Sequence, residues 1–371
     1  MAEQRRGSIS PLQAVSCSCI ICEQVASYSR LKTTLYVEKK RDITLRPIEI
    51  KWSDKVSPRV DPKLFYFWQC PFCGFTADHQ FFLAPFKDGG MNPGRFRKLF
   101  TKYRDGNAQL PAVVERLKID TRADTSVTIA ALKQNLLAIF TWEMVEELVQ
   151  GDSLNLAAYY LRLSWVFHEL QRVKAKNAKV FEKGQTLLRD LYKDWPEIST
   201  CEGQALQTAY RYYQQALSKS ATVNTVAQEV QVRLIMVRIL LKLGKLQDAK
   251  HSLLECKARV SSFSHLVQKK MAGGGNFDED ALREMEQAKT KCQSQLNEVE
   301  LIFEKLEAAA AAKRLAKAQD LLKEVAEQTY EEKVIHLKNH MVAEALIAKL
   351  LPEEKKKWSL IEKIAGKKKK T

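Results

Sequence analysis

The spacing of apolar positions changes character near Pro111. Before it, apolar residues gather in short runs rich in β-branched and aromatic side chains: Thr33 to Val37, Ile43 to Trp52 and Leu64 to Trp68. Pro47, Pro58, Pro62 and Pro71 punctuate them. Such runs predict short strands between loops. Beyond Pro111 the period becomes helical. Ser126 to Gln150 reads as a helix closed by Gly151, and Asp152 or Ser153 caps a next helix starting near Leu154. Its apolar residues Leu156, Tyr160, Leu163, Val166 and Phe167 share one face. Further helices are predicted over Phe181 to Trp195, Gly203 to Ser218, Val226 to Leu243 and Leu246 to Val260, with breaks at Pro196 and Gly244.

Past a flexible joint at Gly273-Gly274-Gly275-Asn276, Leu282, Met285, Cys292, Leu296, Val299, Phe303 and Leu306 alternate in steps of three and four. Lys289 fills the missing place in this coiled-coil-like heptad seam. The Ala308 to Ala312 run favours helix, so the element is expected to continue to about Leu351, before Pro352. These shifts divide the chain into a head (1–110), a helical body (111–265), a linker (266–277), a long heptad-bearing helix (278–352) and a basic tail (353–371). The expected fold is mainly α. A small β-containing, zinc-ribbon-like head precedes an α-helical tetratricopeptide-like region and a long C-terminal helix.

The repeat reading rests on Leu240-Leu241-Lys242-Leu243-Gly244-Lys245-Leu246-Gln247-Asp248-Ala249, which looks like a helix-turn-helix junction with a small residue for close packing. Ala209, Tyr213 and Ala216 repeat the spacing of Ala249, Leu253 and Cys256, at a period longer than the roughly 34 residues usual for such repeats. A plain antiparallel helix bundle is the competing reading.

Composition narrows the class. Of 371 residues 45% are hydrophobic, ordinary for a globular protein. Met1 to Ser10 are polar, include Arg5 and Arg6, and lead into no apolar core, which argues against a secretory signal. The apolar stretch from Thr128 to Phe140 is broken by Lys133, Gln134 and Asn135, so no membrane span is expected and a cytoplasmic location is. The net charge of +16 favours an acidic partner such as nucleic acid, an anionic membrane face or an acidic protein, without choosing among them.

Five of the 8 cysteines lie in the head: Cys17, Cys19, Cys22, Cys70 and Cys73. Cys19-Ile20-Ile21-Cys22 and Cys70-Pro71-Phe72-Cys73-Gly74 are two CxxC pairs. Each turn brings two thiolates to one point, and two turns supply the four-sulfur tetrahedron a structural zinc prefers. Gly74 suits the backbone reversal after the second pair. Residues 23–69 between the pairs leave room for an inserted β element. Idle buried thiols, a redox-active pair and a disulfide are less favoured in a reducing compartment without a βαβ pattern. The expected ligands are Cys19, Cys22, Cys70 and Cys73. Cys17 either replaces Cys19 or lies idle nearby, and His79 reads as a surface histidine before an added ligand. Cys201, Cys256 and Cys292 read as ordinary core or seam residues of helices.

The segment Asp61-Pro62-Lys63-Leu64-Phe65-Tyr66-Phe67-Trp68-Gln69-Cys70-Pro71-Phe72-Cys73-Gly74-Phe75-Thr76-Ala77, followed by Phe81 and Phe82, resembles the bacterial family called domain of unknown function 2225. Members look like two-knuckle zinc-binding proteins, often with tetratricopeptide-like helices behind. The resemblance implies a fold and no catalytic activity. The family's first knuckle usually reads Cys-Pro-x-Cys-Gly, whereas here it is Cys19-Ile20-Ile21-Cys22-Glu23.

Three weaker signals remain. Phe96, Leu99, Phe100 and Tyr103 form an apolar helix face ringed by Arg95, Arg97, Lys98, Lys102 and Arg104, either a solvated amphipathic helix or a phosphate-contacting patch. Glu332, His336, His340 and Glu344 share a stripe that reads as a solvated face before a metal site, because it lacks the HExxH order. Lys367 to Lys370 read as a solubilising tail. No Gly-rich phosphate loop or nucleophile elbow is present. The expectation is therefore a non-enzymatic zinc-binding scaffold or adaptor that holds a protein partner on its helical body. The alternative is a nucleic-acid-binding protein using the zinc head and basic patches. The sequence does not name the partner or the oligomeric state.

Overall fold

The computed structural model describes residues 9–53, 56, 60–83, 101, 105, 110–119, 126–149, 153–218, 225–272 and 279–351. The glycine segment from Gly273, most of the segment Phe96 to Arg104 expected to form a basic helix, and the segment expected to be a tail from 353 lie outside those residues. The described chain is mainly α-helical with three small antiparallel strand pairs at its N-terminal end. By Cα packing it forms two compact units, Met1–Val299 and Glu300–Thr371.

In the first unit, β1 (Leu12–Ser18) pairs with β2 (Val25–Leu31), from Leu12↔Leu31 to Ser18↔Val25. β3 (Tyr36–Arg41) pairs with β4 (Pro47–Trp52), and β5 (Phe67–Gln69) with β6 (Thr76–Asp78). The β3–β4 hairpin is the inserted element expected between the cysteine pairs. It is shorter than the apolar run Ile43 to Trp52, because residues 42–46 form its turn. There Asp42 Oδ1 accepts hydrogen bonds from the Thr44 and Arg46 amides, and Leu45 takes φ +66°.

Behind these hairpins come α1 (Gln80–Leu83), α2 (Leu110–Leu117), α3 (Val127–Val149), α4 (Ser153–Lys174), α5 (Ala178–Asp194), α6 (Glu202–Ser218), α7 (Val226–Lys242) and α8 (Leu246–Ala272). Two of these helices start at side-chain caps: Asn177 accepts from the Val180 amide, and Thr225 from that of Gln228. The α7–α8 turn closes at Gly244, φ +73°, where the Lys245 amide donates to Leu240 O and the Gly244 amide to Leu241 O. That is a Schellman-type stop, with the fully buried Ala249 on the next helix. α8 runs to Ala272 and so takes in the start of the segment expected to be linker.

One core extends from the cysteine knuckles into the helices without a break at residue 110. It joins Cys19, Cys70, Phe67 and Phe75 to Leu132, Leu136, Tyr159 and Leu163. α3 packs on β5 and β6, and α4 packs on α3, α5 and most extensively α6. Polar contacts tie the same surfaces. Thr141 Oγ1 donates to Thr76 O at 2.8 Å, the Asp78 amide to Tyr159 Oη at 3.2 Å, and Arg162 lies 4.9 Å from the Tyr66 ring centre. The β3–β4 tip is bolted to the helices too. The buried Arg46 pairs with Asp42 and Glu169, Trp165 Nε1 donates to Thr44 O, and Arg238 Nη1 to Ile43 O.

α9 (Glu279–Glu324) begins in the first unit and ends in the second. Its seam residues Cys292, Leu296 and Val299 are buried. An Arg238–Glu298 ion pair at 3.1 Å and a Lys270–Met285 contact at 3.9 Å link this part to α7 and α8 of the same chain. Lys289, half-buried, pairs with Glu286 one turn earlier on the same helix, 3.1 Å away, which compensates its charge. The helix does not continue to 352 as the periodicity predicted. Turns follow Glu324, and Thr329 and Glu332 form a reciprocal capping box that starts α10 (Tyr330–Asn339). A second break, with Met341 at φ +57°, precedes α11 (Glu344–Leu350). In the second unit Ala318, Leu321, Leu337 and Ile347 form a small core. Among the described residues, no helix is long and apolar enough to cross a membrane.

Candidate metal centre

Each CxxC pair forms the loop of a hairpin. The first closes β1–β2 after Ser18↔Val25, the second β5–β6 after Gln69↔Thr76. The two loops share one hydrogen-bond pattern. The Cys19 amide donates to Gln24 O at 3.0 Å and the Glu23 amide to Cys19 O at 2.9 Å. In the second loop the Cys70 amide donates to Phe75 O at 2.8 Å and the Gly74 amide to Cys70 O at 3.0 Å. The residue after each pair takes positive φ: Glu23 at +62° and Gly74 at +75°. The missing glycine of the first knuckle thus has not changed its backbone. Glu23 adopts the conformation at a strain of about 1–2 kcal/mol that glycine avoids.

These loops bring the sulfurs of Cys19, Cys22, Cys70 and Cys73 within 4.8 Å of one another. Cys19 Sγ lies 3.7 Å from Cys73 Sγ, and Cys22 Sγ 3.5 Å from Cys70 Sγ. A tetrahedron with metal–sulfur bonds of about 2.3 Å has edges of about 3.8 Å, so the set is sized for one ion. Cys19 and Cys70 are buried, while Cys22 and Cys73 are half-buried. Backbone amides point at the sulfurs, the Ile21 N–H lying 3.4 Å from Cys19 Sγ.

Contact among the thiols sets their acidity. Hydrogen bonding with Cys19 and Cys73 draws Cys70 far below the ordinary thiol range, toward thiolate. The same contacts, first with Cys19, hold Cys73 far above it. Cys19 is pushed up to about 12, chiefly by its bond to Cys70. Four thiolates in contact repel one another, and a divalent cation between them reverses that balance. Donor type, number and spacing therefore all fit a bound metal ion.

Cys17 stays outside the cluster. It sits on β1 opposite Ala26, half-buried, with its thiol pushed up by burial. His79 is also outside, 3.1 Å from Asp78 and beside the Trp68 ring. Cys256 and Cys292 are buried in their helices as expected. Cys201 is not a core residue: it is exposed just before α6, where its carbonyl accepts the Ala205 amide. The acidic and histidine stripe does not converge. Glu332 caps α10, while the His336 and His340 rings lie 4.4 Å apart and tilted by 44°. Among the described residues the four head cysteines are the one group of three or more such side chains that can hold a metal.

Sequence reasoning passed over Tyr28. Its ring stacks on Trp68 at 4.8 Å and 12°, and its hydroxyl is buried without a geometrically acceptable partner. Burial, then the charges of Cys70 and Cys19, raise its phenol above the ordinary range. The polar sequence Ser27-Tyr28-Ser29 gave no signal of this.

The family model described as "Uncharacterized protein conserved in bacteria (DUF2225)" matches residues 12–272, more than half of the chain and including both knuckles. No curated protein and no solved structure matches the chain. The chain belongs to that family.

Proposed function

We propose that this family member is a non-enzymatic, cytoplasmic zinc protein that serves as a scaffold or adaptor, with its tetratricopeptide-like helical body as the surface for a protein partner. The observation that carries the reading is the four-sulfur cluster of Cys19, Cys22, Cys70 and Cys73, all within 4.8 Å. An all-thiolate shell suits zinc, and four protein ligands leave no position for a reactive water. The metal's role is then structural: it clamps two hairpin loops whose side chains continue into the helical core. Cys19 and Cys70 belong to that core, so the metal fixes the surface the helices present.

The test is affinity capture with the full zinc-loaded chain, with and without nuclease, beside binding of RNA and DNA across a salt series. A protein that survives nuclease treatment and is lost in a Cys70→Ser/Cys73→Ser variant supports the adaptor reading. Nucleic-acid binding that falls steeply with salt, with no protein retained, would replace it with the nucleic-acid reading.

A further inference from the structure

We propose that the cleft between the β3–β4 tip, α7 and the first part of α9 is a binding site for a small amphipathic oxyanion, a molecule carrying a carboxylate or phosphate group on an apolar body. This inference is independent of the metal. The cavity holds about 250 Å³. Its lining sets Arg238 and Lys291 against one carboxylate, Glu298, while a third cation, Arg41, pairs with Glu38 on its own strand.

The one buried cation of the cleft is Arg238. It is 4% exposed, and a guanidinium that deep needs its donors satisfied. Two contacts are present: Nη2 lies 3.1 Å from Glu298 Oε1, and Nη1 lies 3.5 Å from Ile43 O. A guanidinium carries five N–H donors. The Glu298 side chain is 60% exposed, so much of its charge is spent on water. Lys291, exposed on the rim, has no ion pair among the described residues. The cleft therefore has more cationic donors than acceptors. A carboxylate or phosphate supplies two or more acceptor oxygens in the geometry a guanidinium matches.

Leu45, Leu234 and Ile235 form an apolar wall beside these groups, which calls for an apolar portion on the ligand. The cleft is also preformed. The tip is held by the Asp42 turn and by Arg46 pairing with Glu169, so little ordering is required on binding.

The test is calorimetric titration of the full, metal-loaded chain with phenyl phosphate, benzoate and inorganic phosphate. Phenyl phosphate or benzoate should bind once per chain, at least about tenfold tighter than inorganic phosphate, and the better of the two identifies the oxyanion. Lys291→Glu, at an exposed position, should weaken binding about tenfold while leaving the melting temperature unchanged. Arg238→Met should abolish binding, and if that variant fails to fold, Lys291→Glu decides alone. The proposal is overturned if neither aromatic anion binds at millimolar concentration. It is equally overturned if inorganic phosphate binds as tightly, or if Lys291→Glu leaves the affinity unchanged.

Discussion

Replacing Gly74 with alanine tests the second knuckle and its support together. Gly74 takes φ +75°, and a Cβ built there would lie 2.4 Å from Val114 Cγ1 on α2. Two costs add. An L-residue in the left-handed region loses about 1–2 kcal/mol. Forcing a methyl into a filled space costs about 1–3 kcal/mol more, since valine is β-branched and cannot swing aside cheaply. The expected destabilisation is about 2–5 kcal/mol, read by urea unfolding of the zinc-loaded chain. Gly244 separates the terms: it has φ +73° but nothing within 4 Å of the built Cβ, so Gly244→Ala should cost about 1–2 kcal/mol only. Adding Val114→Ala should recover the steric part of the Gly74→Ala loss, beyond what additivity of the two single changes allows. If Gly74→Ala costs no more than Gly244→Ala, α2 does not pack on the knuckle as described and the reasoning fails.

Three more outcomes follow from particular contacts. Tyr28→Phe should leave the fold intact and weaken metal binding about tenfold in a chelator competition, and an unchanged affinity would show that the hydroxyl does nothing for the sulfurs. Glu143, half-buried on α3 and hydrogen-bonded by Tyr160, has its carboxyl pushed from 4.5 up to about 7, chiefly by loss of solvent. A raised carboxyl pKa means the folded state holds the proton longer than the unfolded state. Its contribution is thus present below about pH 4.5 and lost as pH rises through about 7, by at most about 3 kcal/mol. Glu143→Gln should accordingly flatten the stability difference between pH 5 and pH 8 in urea unfolding, and an unchanged difference would rule this out. Leu296→Glu with Val299→Glu should lower stability by more than about 4 kcal/mol without changing the mass by light scattering, because that part of the seam is internal. A halved mass would show instead that it joins two copies.

The helices were legible because their period is long and their stops are chemical. The run from Ser126 to Gln150 became α3 over Val127–Val149, and Gly244 broke the chain where its freedom was needed. The clustering of the four cysteines was legible because a CxxC turn nearly dictates its own geometry. The choice of Cys19 over Cys17 was not, since it depends on β1 ending at Ser18 and placing Cys19 in the loop. β1 and β2 themselves were missed. Leu12 to Ser18 and Val25 to Leu31 mix serines and other polar residues with a few apolar ones, and a two-stranded hairpin with much of its surface in water imposes little apolar alternation. The end of α9 at Glu324 was missed because Val334, Leu337 and Met341 prolonged a helical pattern without proline or glycine. The readable sign was Thr329 followed by Glu332, a capping box inside an apparently continuous helix. The basic cleft joins residues from distant parts of the chain, so no local pattern announces it.

The central claim is that Cys19, Cys22, Cys70 and Cys73 hold one zinc whose binding energy is part of the folding energy. Elemental analysis of the purified chain, paired with thermal unfolding, tests it most directly. The account predicts about one zinc per chain, its loss in the Cys70→Ser/Cys73→Ser variant, and a lower melting temperature for both head and helices when it is lost, since the two share a core. A chain that carries no metal, or a variant that keeps its zinc and its melting temperature, contradicts it.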